Sequence, residues 1–379
     1  MAETDSNTPI YRLGDGVVIG IGGRAAVLVN LRLDDEIKIA DAQYAEVLDK
    51  LALGWTMEGW EDFIPRMLKE GIIAEGDLQV DPIIREHLAR LDTMFMAGFR
   101  DQLTERARHA YELTLTAHAW RKRFFTQVGQ CPTLPETTLR RALLVGDAEQ
   151  VGKLDILCVG DDDLVSIPLA ALGHRVTVYD IDPFLLTLLE QVSASLSLDI
   201  AVIERNLLEP LARDEQDRWD VFVTDPMSNR ECFEIFLSRA LAMTRPGGRG
   251  FVAVYGPACR LFGEISTEMR FPIKSWYARH NRYYSQYFKL HSYESDWVEV
   301  KRANETTVKH GPEEAASPES LYAEAYFQRP PTFCAFYDEI EDPHHAKPMF
   351  LDAVVDMLEA GTGLKLEGKI VHAGKGWSV

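Results

Sequence analysis

Three consecutive carboxylates, Asp161, Asp162 and Asp163, stand directly after Gly160 at the end of the apolar run LDILCVG. A turn built there to hold phosphate needs glycines and an open helix N-terminus to receive the anion. Acids in that place repel a pyrophosphate, so NAD and ATP are disfavoured and a cationic ligand, such as a sulfonium or a polyamine, is attracted. One carboxylate would suffice to complement the dipole of the helix that follows, which leaves two without that explanation. Asp180 closes the next apolar run, HRVTVYDID, where an acid accepts hydrogen bonds from ribose hydroxyls. Asp182, just before Pro183, has the signature of a helix cap. Asn206 follows a third run and is placed to meet an adenine amino group, although an Asn in a turn needs no ligand to explain it. Asp225-Pro226 closes a fourth run, WDVFVTDP. A carboxylate there lies over the middle of a cleft and is suited to take the proton of an attacking amine, which cannot attack carbon while protonated. Its bland reading is a cap for a helix starting near Ser228.

These positions share one property: each lies at the end of an apolar run that a helical run follows. From Lys153 to Tyr255 the chain alternates such runs, which specifies a parallel, doubly wound sheet with right-handed crossovers and a ligand outside the carboxyl ends of the strands. The fold class expected from this alternation is therefore α/β, doubly wound and Rossmann-like, with a small winged-helix-like N-terminal domain. For that small domain, Ile10 to Leu31 predicts two or three short strands, and the apolar spacing from Asp41 to Gly71 predicts two helices. A long helical stretch from Pro82 to about Val128 carries one apolar stripe through Leu88, Leu91, Phe95, Phe99 and Leu103, and Trp120, Phe124 and Phe125 at its end read as core. The domain boundaries expected are 1–81, a helical connector over 82–130, and a catalytic domain over 131–379. Lys301 to Ser320 reads as an exposed loop, and YFQRPPTFCAFYDEI and GLKLEGKIV as additions to the sheet edge.

Composition narrows the partners. With 40 Lys+Arg against 59 Asp+Glu, the 379-residue chain has a formal net charge of −19, which opposes binding to nucleic acid. No apolar stretch approaches the roughly 18 residues of a membrane span, and the polar, acidic N-terminus is unlike a signal, so a cytoplasmic protein without membrane or nucleic-acid partners is expected. A homodimer is carried as the candidate assembly. The five cysteines show no CxxC spacing, and His344, His345 and His372 lack a defined ligand set, so no metal is expected. After the fifth strand, Arg260, Arg270, Lys274, Arg279 and Arg282 form a basic, aromatic-rich stretch that reads equally as a carboxylate-binding group or a solvated helix face.

PETTLRRALLV (Pro135 to Val145), GKLDILCVGDDDLVSIPLA (Gly152 to Ala170), VYDIDPFLL (Val178 to Leu186) and WDVFVTDP (Trp219 to Pro226) together resemble the branched-chain polyamine synthases, the N4-bis(aminopropyl)spermidine synthase family. The resemblance implies transfer of an aminopropyl group from decarboxylated S-adenosylmethionine to a polyamine amine. It implies that Asp161, Asp162, Asp163 and Asp225 shape the donor and amine site and that Asp180 takes the ribose. Joined to the reading of the residues, this puts Gly160, Asp161, Asp180 and Asn206 on the donor, Asp162, Asp163 and Pro226 on the acceptor, and Asp225 in the role of base. A sulfonium leaves as a neutral thioether, so positioning and amine deprotonation suffice for the displacement. The family continues its fourth strand as Asp-Pro-Pro and an acid, whereas this chain has Asp225-Pro226-Met227-Ser228-Asn229, which removes an anchor for a polycation. Tyr11 to Gly71 also resembles the small peptide-recognition domains of enzymes that modify ribosomally made peptides, where a leader binds by strand addition. The rival expectations are a methyl- or aminocarboxypropyltransferase using intact S-adenosylmethionine on a small molecule or a ribosomally made peptide, and a non-catalytic binding module.

Overall fold

A computed structural model describes residues 9–316 apart from 23, 24, 33, 34, 40, 41, 97, 98, 126–129 and 285–289. The chain forms two compact units. Among the described residues, one comprises those of 1–87 and 119–130, and the other those of 88–118 and 131–316. The stretch expected as a separate connector, 82–130, is thus divided between them.

The first unit contains β1 (Tyr11–Leu13), β2 (Val17–Gly22), β3 (Ala25–Asn30), β4 (Asp35–Ile39), α1 (Ala42–Leu53), α2 (Ile64–Glu70), β5 (Ile73–Glu75), the start of α3 (Pro82–Met96) and, later in the chain, β6 (Arg123–Phe125). Three strands fall between Ile10 and Leu31, as expected, and a fourth, β4, follows before the helices. β4, β3, β2 and β6 form one sheet, and β1 pairs antiparallel with β5. Gly14 is required at the β1–β5 junction, because a Cβ there would lie 2.0 Å from the Gly71 carbonyl oxygen. Buried Lys122 donates to the carbonyls of Leu13 (3.0 Å) and Gly14 (2.8 Å) and pairs with buried Asp81 at 2.6 Å. Asp81 in turn accepts from the backbone N–H of Gly16, Ile83 and Ile84, which caps α3.

Among the described residues, the expected helical stretch from Pro82 to Val128 breaks into α3, a short 3-10 turn at Arg100–Gln102, α4 (Glu105–His118) and β6. α3 ends at Met96, and α4 begins afresh after Thr104, whose hydroxyl oxygen accepts from the Ala107 N–H at 3.2 Å. Residues 123–125 are then a strand, parallel to β2 in the register Ile19↔Arg123. Pairing with β2 overrides the helical spacing of the aromatics. Phe124 is fully buried, as expected of core.

The second unit continues with α5 (Pro135–Val145), α6 (Ala148–Val151), β7 (Asp155–Val159), α7 (Ser166–Ala171), β8 (Arg175–Asp180), α8 (Pro183–Ser195), β9 (Ile200–Glu204), β10 (Trp219–Thr224), α9 (Arg230–Met243), β11 (Thr244–Tyr255), α10 (Cys259–Met269), β12 (Ile273–Tyr284) and β13 (Leu290–Lys301). Seven strands form one sheet in the order β12-β13-β11-β10-β7-β8-β9. β7 pairs parallel with β8 and β10, and β10 parallel with β11, as the alternation of runs requires; β13 runs antiparallel to its neighbours β11 and β12. This is the expected doubly wound Rossmann-like α/β fold. Chain order reverses between β7 and β10, and Gly160 and Asp225 follow the carboxyl ends of these two strands, the switch point at which sheets of this kind bind ligands.

Packing explains why the central strands read as continuous apolar runs. β10 is buried along its whole length, and Trp219, Phe222, Phe233, Leu237 and Phe262 join one core with Leu157 and Val252. Gly250 lets two strands approach, because a Cβ there would stand 2.1 Å from the Phe222 ring. The basic stretch after β11 is not one helix: Arg260 lies on α10, Arg270 caps that helix in the left-handed conformation, and Lys274, Arg279 and Arg282 lie on β12. Of the expected loop from Lys301 to Ser320, the described part is tied down. The buried Arg239 guanidinium donates to the carbonyls of Leu207, Gly311 and Glu314. The strands expected in YFQRPPTFCAFYDEI and GLKLEGKIV lie outside the described residues, as do His344, His345 and His372.

Candidate active site

At the carboxyl end of β7 the chain turns through Gly160, whose φ of +74° suits a residue without a side chain. The three acids that follow have three different surroundings. Asp161 is buried, and its carboxyl accepts from the Ser166 backbone N–H (3.2 Å) and hydroxyl, bracing the turn into α7. Burial, with Asp163 and Asp180 nearby, pushes its pKa up to about 8, so Asp161 is largely neutral at pH 7. Asp162 is half-buried and accepts from the Cys131 N–H at 2.9 Å. Asp163 is buried, accepts from the Thr133 N–H at 3.0 Å, and pairs with the Arg141 guanidinium.

At the end of β8, Asp180 accepts from three backbone N–H groups, those of Asp161 (3.1 Å), Ile181 (2.8 Å) and Asp182 (2.9 Å). Burial raises its pKa against the lowering effect of these donors. A carboxylate offers about four acceptor positions, so one remains for a ribose hydroxyl. Asp182 is the N-cap of α8, accepting from the Phe184 N–H at 3.1 Å. The side-chain oxygen of Asn206 accepts from the Leu208 N–H at 3.0 Å, closing its own turn and leaving one lone pair for an adenine amino group.

The end of β10 is different. Thr224 anchors it to β7 by donating to the Val159 carbonyl at 2.8 Å, and buried Pro226 ends the strand. α9 is capped by Asn229, whose side chain accepts from the Cys232 N–H at 2.9 Å, so Asp225 is not consumed as a cap. Asp225 Oδ2 instead accepts from Arg141 Nη2 and from the Tyr283 hydroxyl, each at 2.8 Å. Oδ1 receives no hydrogen bond from any described residue, and the side chain is 20 % exposed. Burial is the main force that pushes the Asp225 pKa up to about 7; Asp163 adds to it, while Arg141 and Tyr283 oppose it. A partly exposed carboxylate poised near neutrality has the properties of a general base.

The residue that joins these two strand ends was not singled out by sequence reasoning. Arg141 is buried on α5 and bridges Asp163 and Asp225. Its Nε donates to Asn281 Oδ1 at 2.8 Å, and its guanidinium lies 4.3 Å from the Trp297 ring centroid. Burial alone would weaken its charge, but Asp163 and Asp225 hold it firmly protonated. A signal was present: Thr138, Arg141, Ala142 and Val145 share the buried face of α5 at helical spacing, and an arginine on such a face needs a buried partner. Tyr283, Asn281 and Ser295, which complete the cluster from β12 and β13, carried no comparable mark.

The basic stretch is largely engaged with acids of the same unit. Arg260 pairs with Glu264, Arg279 with Glu294, and Arg282 with Glu136 and Glu294. Among the described residues, no group of three or more His, Cys, Asp or Glu is arranged to hold a metal ion, and no helix is long and apolar enough to cross a membrane.

Comparison with known proteins adds independent findings. Residues 115–314, more than half the chain, match the model of the branched-chain polyamine synthase A C-terminal domain. A protein of Thermococcus kodakarensis named N(4)-bis(aminopropyl)spermidine synthase is 30% identical over 132 residues, 34% of this chain and 38% of that protein. One of the same name from Thermus thermophilus is 31% identical over 123 residues, 32% of this chain and 36% of that protein. These matches thus span little more than a third of each relative's length. The crystal structure of the Thermus thermophilus branched-chain polyamine synthase in complex with N4-aminopropylspermidine and 5'-methylthioadenosine is similar at 22% identity and a TM-score of 0.48, covering 54% of this chain and 67% of that one.

Proposed function

The chain belongs to the family defined by the branched-chain polyamine synthase A C-terminal domain, and on that footing we propose that it transfers an aminopropyl group from decarboxylated S-adenosylmethionine to an amine. The observation that carries this reading is Asp225. Its Oδ2 is held by Arg141 and Tyr283, its Oδ1 accepts from none of the described residues, and burial pushes its pKa up to about 7. The names of the relatives, bis(aminopropyl)spermidine synthases, point to the same chemistry.

In the proposed reaction the acceptor enters as an ammonium and gives one proton to Asp225 Oδ1. The freed nitrogen attacks the aminopropyl carbon bonded to sulfur. The C–N bond forms as the C–S bond breaks, both electrons of the latter go to sulfur, and 5'-methylthioadenosine leaves as a neutral thioether. Asp225 then returns its proton to water through its exposed edge. Little more is asked of the protein than alignment and a base of matched pKa. On the donor side, Gly160 and Asp161 form the turn, Asp180 offers its remaining acceptor position to the ribose, and Asn206 lies on the adenine side. Asp162, Asp163 and Pro226 belong to the acceptor side, where Asp163 acts through Arg141. The acceptor class is a small-molecule or peptide amine, with Met227-Ser228-Asn229 in place of the acid that would anchor a longer polycation.

The test is incubation of the protein with decarboxylated or intact S-adenosylmethionine and a panel of amines, with product masses as the readout. The expected product is the amine plus one aminopropyl group, formed only from the decarboxylated donor. Methyl transfer from the intact donor, or no product from either by folded protein, overturns the reading.

A further inference from the structure

Behind Asp225 lies a hydrogen-bond circuit whose every proton is fixed from one end. A guanidinium has donors only. Because Arg141 Nε donates to Asn281, the atom it meets is the amide oxygen, and Asn281 Nδ2 must point the other way, at Ser295 Oγ (2.8 Å) and the Asp296 carbonyl (3.1 Å). Ser295 therefore accepts from Asn281 and directs its own proton to the Tyr283 oxygen, 2.7 Å away. Arg141 Nη2 donates to that same oxygen at 3.1 Å. With two donors aimed at it, the phenol oxygen directs its proton to Asp225 Oδ2.

We propose that Tyr283, oriented by Ser295 and Asn281, is a positioning residue for the reaction: it saturates Asp225 Oδ2 so that Oδ1 alone receives the proton of the amine. This rests on the transferase reading above. Among the described residues, the charged and titratable groups that act on Asp225 come from three elements: Arg141 from α5, Asp163 from the turn after β7 with Asp161 beyond it, and Tyr283 from β12. His280, also on β12, is held neutral by burial and by Arg140, Arg141 and Arg282, so it brings no charge in the neutral range. β13 contributes the neutral Ser295, while the adjacent Asp296 carboxylate is engaged by Trp276 Nε1 and the Arg279 N–H. Removal of the Tyr283 hydroxyl leaves the burial of Asp225 in place and takes away one donor to its ionised form, so the carboxyl must hold its proton to higher pH.

The experiment compares wild type, Tyr283→Phe and Ser295→Ala by kcat/KM from about pH 6 to about pH 9, beside a carboxyl-carbon NMR titration of Asp225. For Tyr283→Phe the acid limb and the NMR midpoint should both move up by about one pH unit, which makes the rate about tenfold lower on the acid side and restores it at high pH. The KM for the donor should be unchanged. Ser295→Ala should move both in the same direction by less, because Tyr283 then loses one of the donors that polarise it; this variant carries the test if Tyr283→Phe fails to fold. An unmoved limb with the rate lowered equally at all pH values, or an unmoved midpoint in both variants, overturns the proposal. If wild type transfers nothing to any amine the transferase reading fails, and the NMR midpoints still decide whether Tyr283 governs Asp225.

Discussion

Each unit of the molecule buries a cation against aspartate, and the two arrangements end differently. In the first, Lys122 and Asp81 are both fully buried, and their remaining hydrogen-bonding capacity goes to backbone: two carbonyls for the ammonium and three N–H groups for the carboxylate. In the second, Arg141 is buried against Asp163 and Asp225, but its partners are side chains, and one oxygen of Asp225 accepts from none of the described residues. Backbone partners tie a charge to the folding of its own segment. Side-chain partners leave the charge adjustable and let one carboxylate keep a face for a ligand. A buried ion pair is weak evidence for stability in itself, since desolvation offsets much of the attraction. What distinguishes the two is whether an acceptor position remains unused.

The largest test of this contrast is Arg141→Ala, which strands two carboxylates at once. It should destabilise the second unit by about 3–5 kcal/mol and abolish transfer, read by denaturant unfolding and product formation. If Arg141→Ala unfolds no more easily than wild type, the bridge is not structural. Next is Asp225→Asn, expected to lower kcat by about 10²–10⁴-fold while binding of 5'-methylthioadenosine, followed by calorimetry, stays within about twofold. Equal turnover rejects Asp225 as base. Lys122→Met should cost less than Arg141→Ala, about 2–3 kcal/mol, because Asp81 keeps three backbone donors; the loss should appear in the hydrogen exchange of β1 and β6 with kcat unaltered. A changed pH–rate profile in Lys122→Met would erase the distinction between the two regions.

The smallest effect concerns Asp161, an acid in the second unit that nonetheless behaves like the backbone-bound kind. Its folded pKa of about 8 lies above the ordinary carboxylate value, so between about pH 4 and about pH 8 the folded state holds a proton that the unfolded state has lost. Its contribution is present below that window and falls as pH rises through it. Asp161→Asn carries no such proton, so its Tm relative to wild type should rise as the pH is raised from about 5 to about 8.5. A difference that stays flat with pH would show that Asp161 is ionised in the fold.

Much of this was legible before any coordinates. LDILCVG, HRVTVYD and WDVFVTD are continuous apolar runs because strands covered on both faces must be, and helical runs between them force parallel order. Asp182 declared itself as a cap through the proline after it. The strand over 123–125 was not legible, since its partner β2 lies about a hundred residues earlier in the chain and no local pattern encodes that pairing. The β12–β13 pair was hidden in the same way, its charges and aromatics resembling a helix face until the register with β11 gave them a side to point to.

The sequence by itself determined the central strands, their parallel sense and the fact that acids stand at their carboxyl ends, because strand periodicity and the sense of the crossovers are local properties of a chain. Only the tertiary structure decided what each acid does. Asp161, Asp180 and Asp182 meet backbone donors within a few residues or on the adjoining strand end, whereas Asp163 and Asp225 share an arginine from α5, with Asn281 and Tyr283 reaching it from β12. Burial and charge act across space, so whether a carboxylate is a brace or a base is settled by neighbours that the order of residues does not place beside it.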